Sequence, residues 1–509
     1  MCFTKLMILA SVACMGTMFM ELPAVAQNGD ARVSRVMLLS IDGLHAADLA
    51  RYTAAYPNSN LAQLTSHGRT YTNARTTAPS DSFPGMLAMV TGGTPRSTGV
   101  YYDDGWDRTL APATGPCTPG ARVQWKQNLD TTPLSFTDAL DPAKLPRNPA
   151  DGCATRVFPH QFPRVNNIFE LVKAAGGHTA WSDKHPSYEF LNGPSGTGLD
   201  DLYTPEIATV IGPLGVVTNS FSDTIAYDDM KVAVVLGWIK GLDHTGGAFN
   251  VPTLFGMNFQ AVSVGQKLAQ AAGPVGGYTD ASGTPSFSLQ ATLDHTDASI
   301  GLMLDALRGA GLLESTLIIV TAKHGNSPVD PKSLVVIDPA KISDLVNGVQ
   351  AGLLAQLSAD TGPLIWLTDQ TKTAAVVAAL EASRAGKNDL RIDRIASGAA
   401  LAERYADPAT DSRVPDIILY PLPGTLYTTT ATKIADHGGA SADDTNVGLL
   451  VSHSSFSRKT IGDPVETRQI ACTILKALSL KCKALESHKI EPIGELPKSN
   501  HANVDQDQD

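Results

Sequence analysis

Residues Val36-Met37-Leu38-Leu39-Ser40, followed by Ile41-Asp42-Gly43, set the fold class of this chain. A continuous apolar run without polar alternation is typical of a strand buried on both faces. A second run of this kind, Leu317–Thr321, comes after a long segment, 289–310, with apolar residues at helical spacing. Strand, helix and strand in this order predict an α/β fold with a central, mostly parallel sheet sandwiched by helices.

The rest of the chain divides by composition and periodicity. Residues 103–165 are rich in Pro, Gly and Asp and predict a long surface excursion, whereas 331–430 alternate again between strand and helix patterns. We therefore predict an inserted smaller α/β cap within a larger catalytic core. The predicted organisation is a signal peptide at 1–26, the core at 27–330 and 431–496, the cap at 331–430, and a disordered tail at 497–509.

The composition excludes several classes of protein. Hydrophobic residues make up 43% and charged residues 17% of the 509 residues, so the chain is not mainly disordered. The net charge of −11 argues against a nucleic-acid-binding surface. An anionic substrate would therefore need a local attraction: a metal, a helix N-terminus or a few placed cations.

The first 26 residues resemble a secretory signal peptide. Lys5 precedes an apolar run over 6–20, and Ala24-Val25-Ala26 fits a small-residue cleavage site. The run is shorter than the ~20 residues that span a bilayer, and no later segment is apolar enough to do so. We expect a periplasmic or secreted protein without stable membrane insertion.

The cysteines agree with export. Four remain after residue 26, and an even number in an exported chain predicts two disulfides. Proximity in sequence favours Cys117–Cys153 and Cys472–Cys482, although three connectivities are possible.

Acidic and histidine residues follow the apolar runs, each beside a glycine. Because ligands bind beyond the carboxyl ends of parallel strands, these residues are candidates for a metal site. Each alone is as well explained by a helix cap or an ordinary polar residue, but four together favour a metal. The candidates are Asp42, Asp243 with His244 after the run 232–239, His324, and His437.

A hydroxyl residue opens a predicted helix in Ser80-Asp81-Ser82-Phe83-Pro84-Gly85. A helix N-terminus favours an anion, and a neighbouring metal would make a serine nucleophilic. The alternative is a plain N-cap serine, and Ser80 competes with Ser82 for either role.

Taken together, these motifs resemble the alkaline phosphatase superfamily. Asp42-Gly43 resembles its first metal motif, and Ser82-Phe83-Pro84 with the Thr91-Gly92 stretch resembles its type I phosphodiesterase/nucleotide pyrophosphatase branch. The resemblance implies Ser82 as a nucleophile that forms a covalent phosphoryl-enzyme on a small-molecule phosphate ester. It also implies one or two divalent metals, with Zn²⁺ as the favoured ion. One would be held by Asp42, Ser82 and His324, and the other by Asp243, His244 and His437.

The chain departs from the family pattern at three places. Lys323 replaces the Asp of an Asp-His-Gly motif and could contact phosphate directly, which makes it a candidate catalytic residue. The family spaces an Asp and a His four apart, whereas Lys240 stands four before His244; a second pair, Asp294-His295, is the alternative. Gly85 replaces an Asn that binds the transferred group. We expect substrate contacts at Gly85, Lys184 and Asn258.

Two other functions remain open at this point. One is a sulfatase or phosphonate hydrolase of the same superfamily. The other is a metal-poor member that binds an anionic ligand without turning it over.

Overall fold

The structure is a computed structural model. It describes residues 33–125, 129–131, 136, 138–211, 215–269 and 275–500. The predicted signal peptide and residues 501–509 of the predicted disordered tail lie outside the described residues.

The strands follow the chain in this order: β1 (Arg35–Ile41), β2 (Gly68–Tyr71), β3 (Ala74–Arg75), β4 (Asp104–Asp107), β5 (Ala121–Gln124), β6 (Thr179–Ser182), β7 (Asp201–Tyr203), β8 (Leu254–Phe259), β9 (Thr316–Thr321), β10 (Val335–Ile337), β11 (Leu354–Ser358), β12 (Leu364–Leu367), β13 (Ile392–Ser397), β14 (Ile417–Pro421), β15 (Thr425–Tyr427), β16 (Leu450–Ser452), β17 (Lys459–Ile461) and β18 (Val465–Glu466).

The α-helices follow in this order: α1 (Ala46–Ala55), α2 (Asn60–Ser66), α3 (Ser82–Thr91), α4 (Pro95–Thr98), α5 (Ile168–Ala174), α6 (Phe221–Ile239), α7 (Ala261–Lys267), α8 (Phe287–Gly309), α9 (Ala340–Val349), α10 (Thr373–Ala385), α11 (Ala399–Arg404), α12 (Ala442–Thr445) and α13 (Gln469–Ala477).

An eight-stranded sheet forms the centre of the molecule, with strand order β17-β2-β16-β9-β1-β8-β6-β7. The strands from β9 to β7 pair in parallel, and β16 is antiparallel to both β9 and β2. The predicted mostly parallel sheet is confirmed. Its parallel part brings the carboxyl ends of β9, β1, β8 and β6 to one edge.

Strand β1 lies in the interior of the sheet, and its side chains point alternately to the two faces. Each face packs against its own layer of helices. Val36 and Leu38 belong to the apolar cluster that contains Phe83 and Met86 of α3. Met37 and Leu39 belong to the opposite cluster, with Ile300, Met303 and Leu304 of α8. Both faces are therefore covered, as the uninterrupted apolar run predicts.

A smaller sheet of four antiparallel strands, β11-β12-β14-β13, lies within residues 354–421. Its core includes Ile365 and Ile417 together with Ile342 of α9 and Leu380 of α10. This is the smaller α/β unit predicted between the two parts of the core.

Both favoured disulfides are present, Cys117–Cys153 and Cys472–Cys482. Within the described residues, no helix combines the length and the apolar character needed to cross a membrane.

Candidate active site

Four strand ends supply the candidate site. Asp42 follows β1, Asn258 lies near the end of β8, and Lys323-His324 follow β9. Lys184 follows β6, two strands from β1. Asp42, Asn258, Lys323 and His324 are all 0% exposed. The sequence thus places charged and polar groups at the one edge of the sheet where parallel strands end together.

Ser82 is the first residue of α3. The preceding residue, Asp81, caps the helix because its side chain accepts a hydrogen bond from the Phe83 amide at 2.9 Å. The helix packs tightly against the end of β9: a Cβ atom at Gly85 would lie 2.2 Å from the Lys323 carbonyl oxygen. The Gly85 N–H donates to the Asp81 carbonyl. Gly85 therefore allows a close approach between α3 and the end of β9, and its N–H is used within the helix. The substrate contact at Gly85 stays a prediction.

The Ser82 hydroxyl faces a histidine that can accept its proton. Oγ of Ser82 lies 3.2 Å from Nε2 of His324. Nδ1 of His324 lies 3.0 Å from the Gly325 carbonyl, so the proton is assigned to Nδ1 and the Nε2 lone pair faces the serine. Burial, together with the nearby lysines, lowers the pKa of His324 to about 3, so the resting imidazole is neutral and weakly basic. Negative charge that builds up on a bound phosphoryl group would raise this pKa.

The Lys184 ammonium lies between Asp42 and Ser82. Its Nζ donates to Oδ2 of Asp42 at 2.8 Å and to Oγ of Ser82 at 2.9 Å. Burial opposes the charge of Lys184, but Asp42 and Asp183 outweigh it, so the pKa of Lys184 is raised. Because Ser82 Oγ accepts from Lys184, its hydroxyl proton is directed toward His324.

Lys323 is a second buried lysine beside Asp42, and its ammonium group is held by Asp183 and Tyr188. Its Nζ donates to Oδ1 of Asp183 at 3.1 Å and to the Tyr188 hydroxyl oxygen at 2.7 Å. The same atom lies 3.5 Å from Oδ2 of Asp42. Burial lowers the pKa of Lys323, and Asp183 and Asp42 oppose that shift.

Asp42 is the anion that both lysines and Asn258 share. Burial alone would raise the pKa of this carboxyl, but Lys184 and Lys323 hold it well below its usual value. The Asn258 amide donates to Oδ2 at 3.2 Å. Oδ1 of Asp42 and Oδ1 of Asn258 are buried and find no hydrogen-bond partner among the described residues.

His437 closes the other side of the site. Its ring centroid lies 3.8 Å from that of His324, and its Nδ1 lies 3.7 Å from Oδ1 of Asp81. Within the described part of the chain, neither Nδ1 of His437 nor Oδ1 of Asp81 has a hydrogen-bond partner. Behind His437, Asp436 pairs with Lys267 and Lys433. The buried, unpartnered atoms beside Ser82 mark a place where a polar ligand can be accepted.

Asp243 and His244 are not part of this site. The apolar run 232–239 predicted before them as a strand is the end of helix α6. His244 pairs with Asp201, the first residue of β7, and so lies at the amino-terminal edge of the sheet. Asp243 forms a turn with Thr245 and Gly247. The structure therefore does not bring this pair into one site with His437.

The alternative pair does not reach the site either. His295 lies on α8 and contacts Asp229 of α6 at 2.8 Å. The strand end beside Asp42 belongs to β8, where the chain carries the amides Asn258 and Gln260.

Three residues of the site were not predicted as its members: Asp183, Tyr188 and Lys267. Asp183 directly follows β6, so the strand-end argument used for Asp42 applies to it as well. Tyr188 and Lys267 lie in the site through tertiary contacts that no local sequence pattern predicts.

The chain matches a known protein family. The family model for type I phosphodiesterase / nucleotide pyrophosphatase matches residues 36–443. The match spans most of the chain and includes every residue of the site. The chain therefore belongs to this family, whose members are phosphoric ester hydrolases.

Solved structures with the same fold come from two mammals. Murine ectonucleotide pyrophosphatase/phosphodiesterase 5 is 14% identical, with 88% of this chain and 96% of that chain covered and a TM-score of 0.57; one of its structures is an inactive variant in complex with AMP. The human protein of the same name is 15% identical, covers 92% and 97%, and gives a TM-score of 0.55. No curated protein matches this chain in sequence.

The family normally depends on divalent metal, but the residues of this chain do not fit one. The donors implied for one metal are Asp42, Ser82 and His324, and the Lys184 ammonium already contacts two of them. A protonated lysine cannot ligate a metal, and its charge repels one. The donors implied for the other metal leave only His437 in place. Across the described part of the chain, no cluster of three or more His, Cys, Asp or Glu side chains is arranged to hold a metal.

Proposed function

We propose that this protein is an exported hydrolase of phosphoric esters that uses Ser82 as its nucleophile. The observation that carries the proposal is the pair of contacts at Ser82 Oγ, with Lys184 Nζ at 2.9 Å and His324 Nε2 at 3.2 Å. A serine activated by a neighbouring base and a fixed positive charge is the usual arrangement for nucleophilic catalysis.

In the first step, Ser82 Oγ forms a bond to phosphorus while its proton passes to Nε2 of His324. The bond from phosphorus to the leaving oxygen breaks, and that oxygen keeps the electron pair and takes up a proton from solvent. In the second step, water attacks the phosphoserine, gives its hydroxyl to phosphorus and its other proton to solvent, and the Oγ–phosphorus bond breaks. The electron pair returns to Oγ, which regains the proton held by His324. The product leaves as phosphate from a monoester and as a phosphomonoester from a diester.

The proposed substrate class is a small phosphoric ester, and a nucleotide ester is the first to examine. Family membership supports the ester, and AMP bound to the murine protein suggests the nucleotide. Export is supported by the signal-like residues 1–26 and by the two disulfides, which persist in oxidising compartments.

The test is hydrolysis of bis-p-nitrophenyl phosphate by three proteins: wild type, Ser82→Ala and Ser80→Ala. Ser80 is the matched control because it lies two residues away and its Oγ accepts a hydrogen bond from the Gly438 amide at 3.2 Å. We expect Ser82→Ala to abolish turnover and Ser80→Ala to retain it. Equal turnover by Ser82→Ala and wild type would contradict the proposal.

A second candidate function is anion binding without turnover. The observation that favours it is Lys323, a lysine at a position where the family carries a metal-binding Asp. Calorimetry with inorganic phosphate separates the two: binding by a wild type that hydrolyses no ester would support this second function.

A further inference from the structure

We propose that the Lys184 ammonium supplies the positive charge that divalent metal supplies elsewhere in this family, so that the protein works without a metal. The role of Lys184 in the reaction rests on the proposed function, in which Ser82 is the nucleophile. In these terms Lys184 is a catalytic residue, because it contacts the reacting oxygen, and Lys323 is a positioning residue.

The first argument is the place of Lys184 Nζ. It contacts Asp42 Oδ2 at 2.8 Å and Ser82 Oγ at 2.9 Å. Asp42 and Ser82 are two of the three donors that the family pattern assigns to one metal, so the ammonium takes up the contacts that such an ion would make. The Lys184 side chain is 9% exposed, which leaves it on the wall of the site rather than free in solvent.

The second argument is that Lys184 is held in this position from behind. Its backbone N–H donates to Oδ1 of Asp183 at 2.9 Å. The same carboxylate pairs with Lys323, which also contacts Tyr188. Asp183 thus links the two lysines, and both point their ammonium groups at Asp42.

The third argument is charge. Lys184 and Lys323 face the carboxyl groups of Asp42 and Asp183, so these four groups pair two cations with two carboxylates. A divalent metal in place of Lys184 would add one more positive charge to this set. A site of this charge suits an ester whose transferred group carries one negative charge, such as a phosphodiester or a sulfate ester, better than a phosphomonoester dianion.

During the proposed reaction Lys184 keeps its three protons and exchanges none. It donates hydrogen bonds toward Ser82 Oγ and toward the oxygens that gain charge as the Oγ–phosphorus bond forms. The proton balance given for Ser82 and His324 is therefore unchanged, and no further reactant is needed.

The test is metal content and turnover of the full-length mature protein before and after exhaustive chelation. We expect well under one metal ion per chain and the same rate on bis-p-nitrophenyl phosphate. Lys184→Met should lower kcat by ~100-fold or more, the scale of losing one charge-stabilising donor, and Lys184→Arg should recover part of it. Loss of activity on chelation with recovery on added zinc would overturn the inference, while leaving Ser82 as the nucleophile.

A second measurement does not depend on turnover. Zinc binding is measured by calorimetry for wild type and for the double variant Lys184→Ala/Lys323→Asp, with circular dichroism as the control for folding. We expect the double variant to bind one zinc ion, because a carboxylate replaces one ammonium and the other is removed, and wild type to bind none. Zinc binding by wild type as tight as by a folded double variant would overturn the inference even if no ester is hydrolysed.

Discussion

Lys184 Nζ and Asp42 Oδ2 lie 2.8 Å apart in the interior of the protein, although the two residues are 142 positions apart in sequence. Asp42 is 0% exposed, so its charge has little solvent to stabilise it. The ion pair therefore does two things: it keeps a buried carboxylate anionic, and it places a cation beside Ser82. The stability and the chemistry of the site are linked through this one contact.

The first prediction concerns stability. Lys184→Met leaves the Asp42 carboxylate buried with a weaker set of partners, so the free energy of unfolding should fall by ~3–5 kcal/mol. The double variant Asp42→Asn/Lys184→Met should be more stable than Lys184→Met, because both charges are removed together. Chemical denaturation monitored by circular dichroism measures both. A single variant as stable as wild type would contradict the importance of the pair.

The second prediction concerns substrate charge. The value of kcat/KM for bis-p-nitrophenyl phosphate should exceed that for p-nitrophenyl phosphate by roughly tenfold or more, since each tenfold corresponds to about 1.4 kcal/mol of differential stabilisation. The sulfate ester, p-nitrophenyl sulfate, is the third arm and separates the diester from the sulfatase alternative. A preference for the monoester dianion would contradict the pairing of two cations, Lys184 and Lys323, with the two carboxylates of Asp42 and Asp183.

The third prediction concerns His244. His244→Ala should leave kcat and metal content unchanged, because the residue pairs with Asp201 at the far edge of the sheet. Its side chain is 27% exposed, so the cost in stability should be within ~1 kcal/mol. The matched comparison is His324→Ala, which removes the proton acceptor of Ser82 and should lower kcat by ~100-fold or more. A loss of kcat in His244→Ala as large as that in His324→Ala would contradict the placement of His244 outside the site.

The fourth prediction concerns pH and Asp444. Burial raises the pKa of Asp444 to about 6, even though Ser441, Ser327 and Thr361 donate hydrogen bonds to it. The native state therefore holds this proton more tightly than the unfolded chain. Its contribution to stability is fully present below the unfolded pKa of 3.8 and is lost as pH rises through 6, by about 3 kcal/mol in total.

Asp444→Asn carries no titrating proton at this position. The fall in unfolding free energy between pH 4 and pH 8 should therefore be smaller in Asp444→Asn than in wild type by an amount of that order. Urea denaturation at the two pH values measures the difference. Parallel pH profiles would show that Asp444 titrates normally.

Much of the fold follows from patterns that are visible in the sequence. The runs at 36–40 and 317–321 contain no polar interruption because β1 and β9 are covered on both faces. The run 232–239 was wrongly predicted as a strand. It belongs to α6, which carries apolar residues around most of its circumference, and a short apolar run does not distinguish a buried helix from a strand. That error put Asp243 and His244 at the wrong edge of the sheet.

The site itself could be predicted only in part. Asp42, Ser82 and His324 were found because strand ends and a helix start leave local patterns. The contact of Lys184 with Asp42 leaves no local pattern in the sequence, because it depends on how β6 and β1 are placed within the sheet. Lys323 was visible as a departure from a motif, but its partners Asp183 and Tyr188 become evident only in three dimensions.

The measurement that tests the central claim most directly is zinc-edge anomalous diffraction from crystals of the protein grown with zinc. The account predicts no anomalous peak among Asp42, Ser82 and His324, with Lys184 Nζ in hydrogen-bond contact with Asp42 and Ser82. A peak within ligand distance of Asp42 and His324, with the lysine displaced, would contradict it.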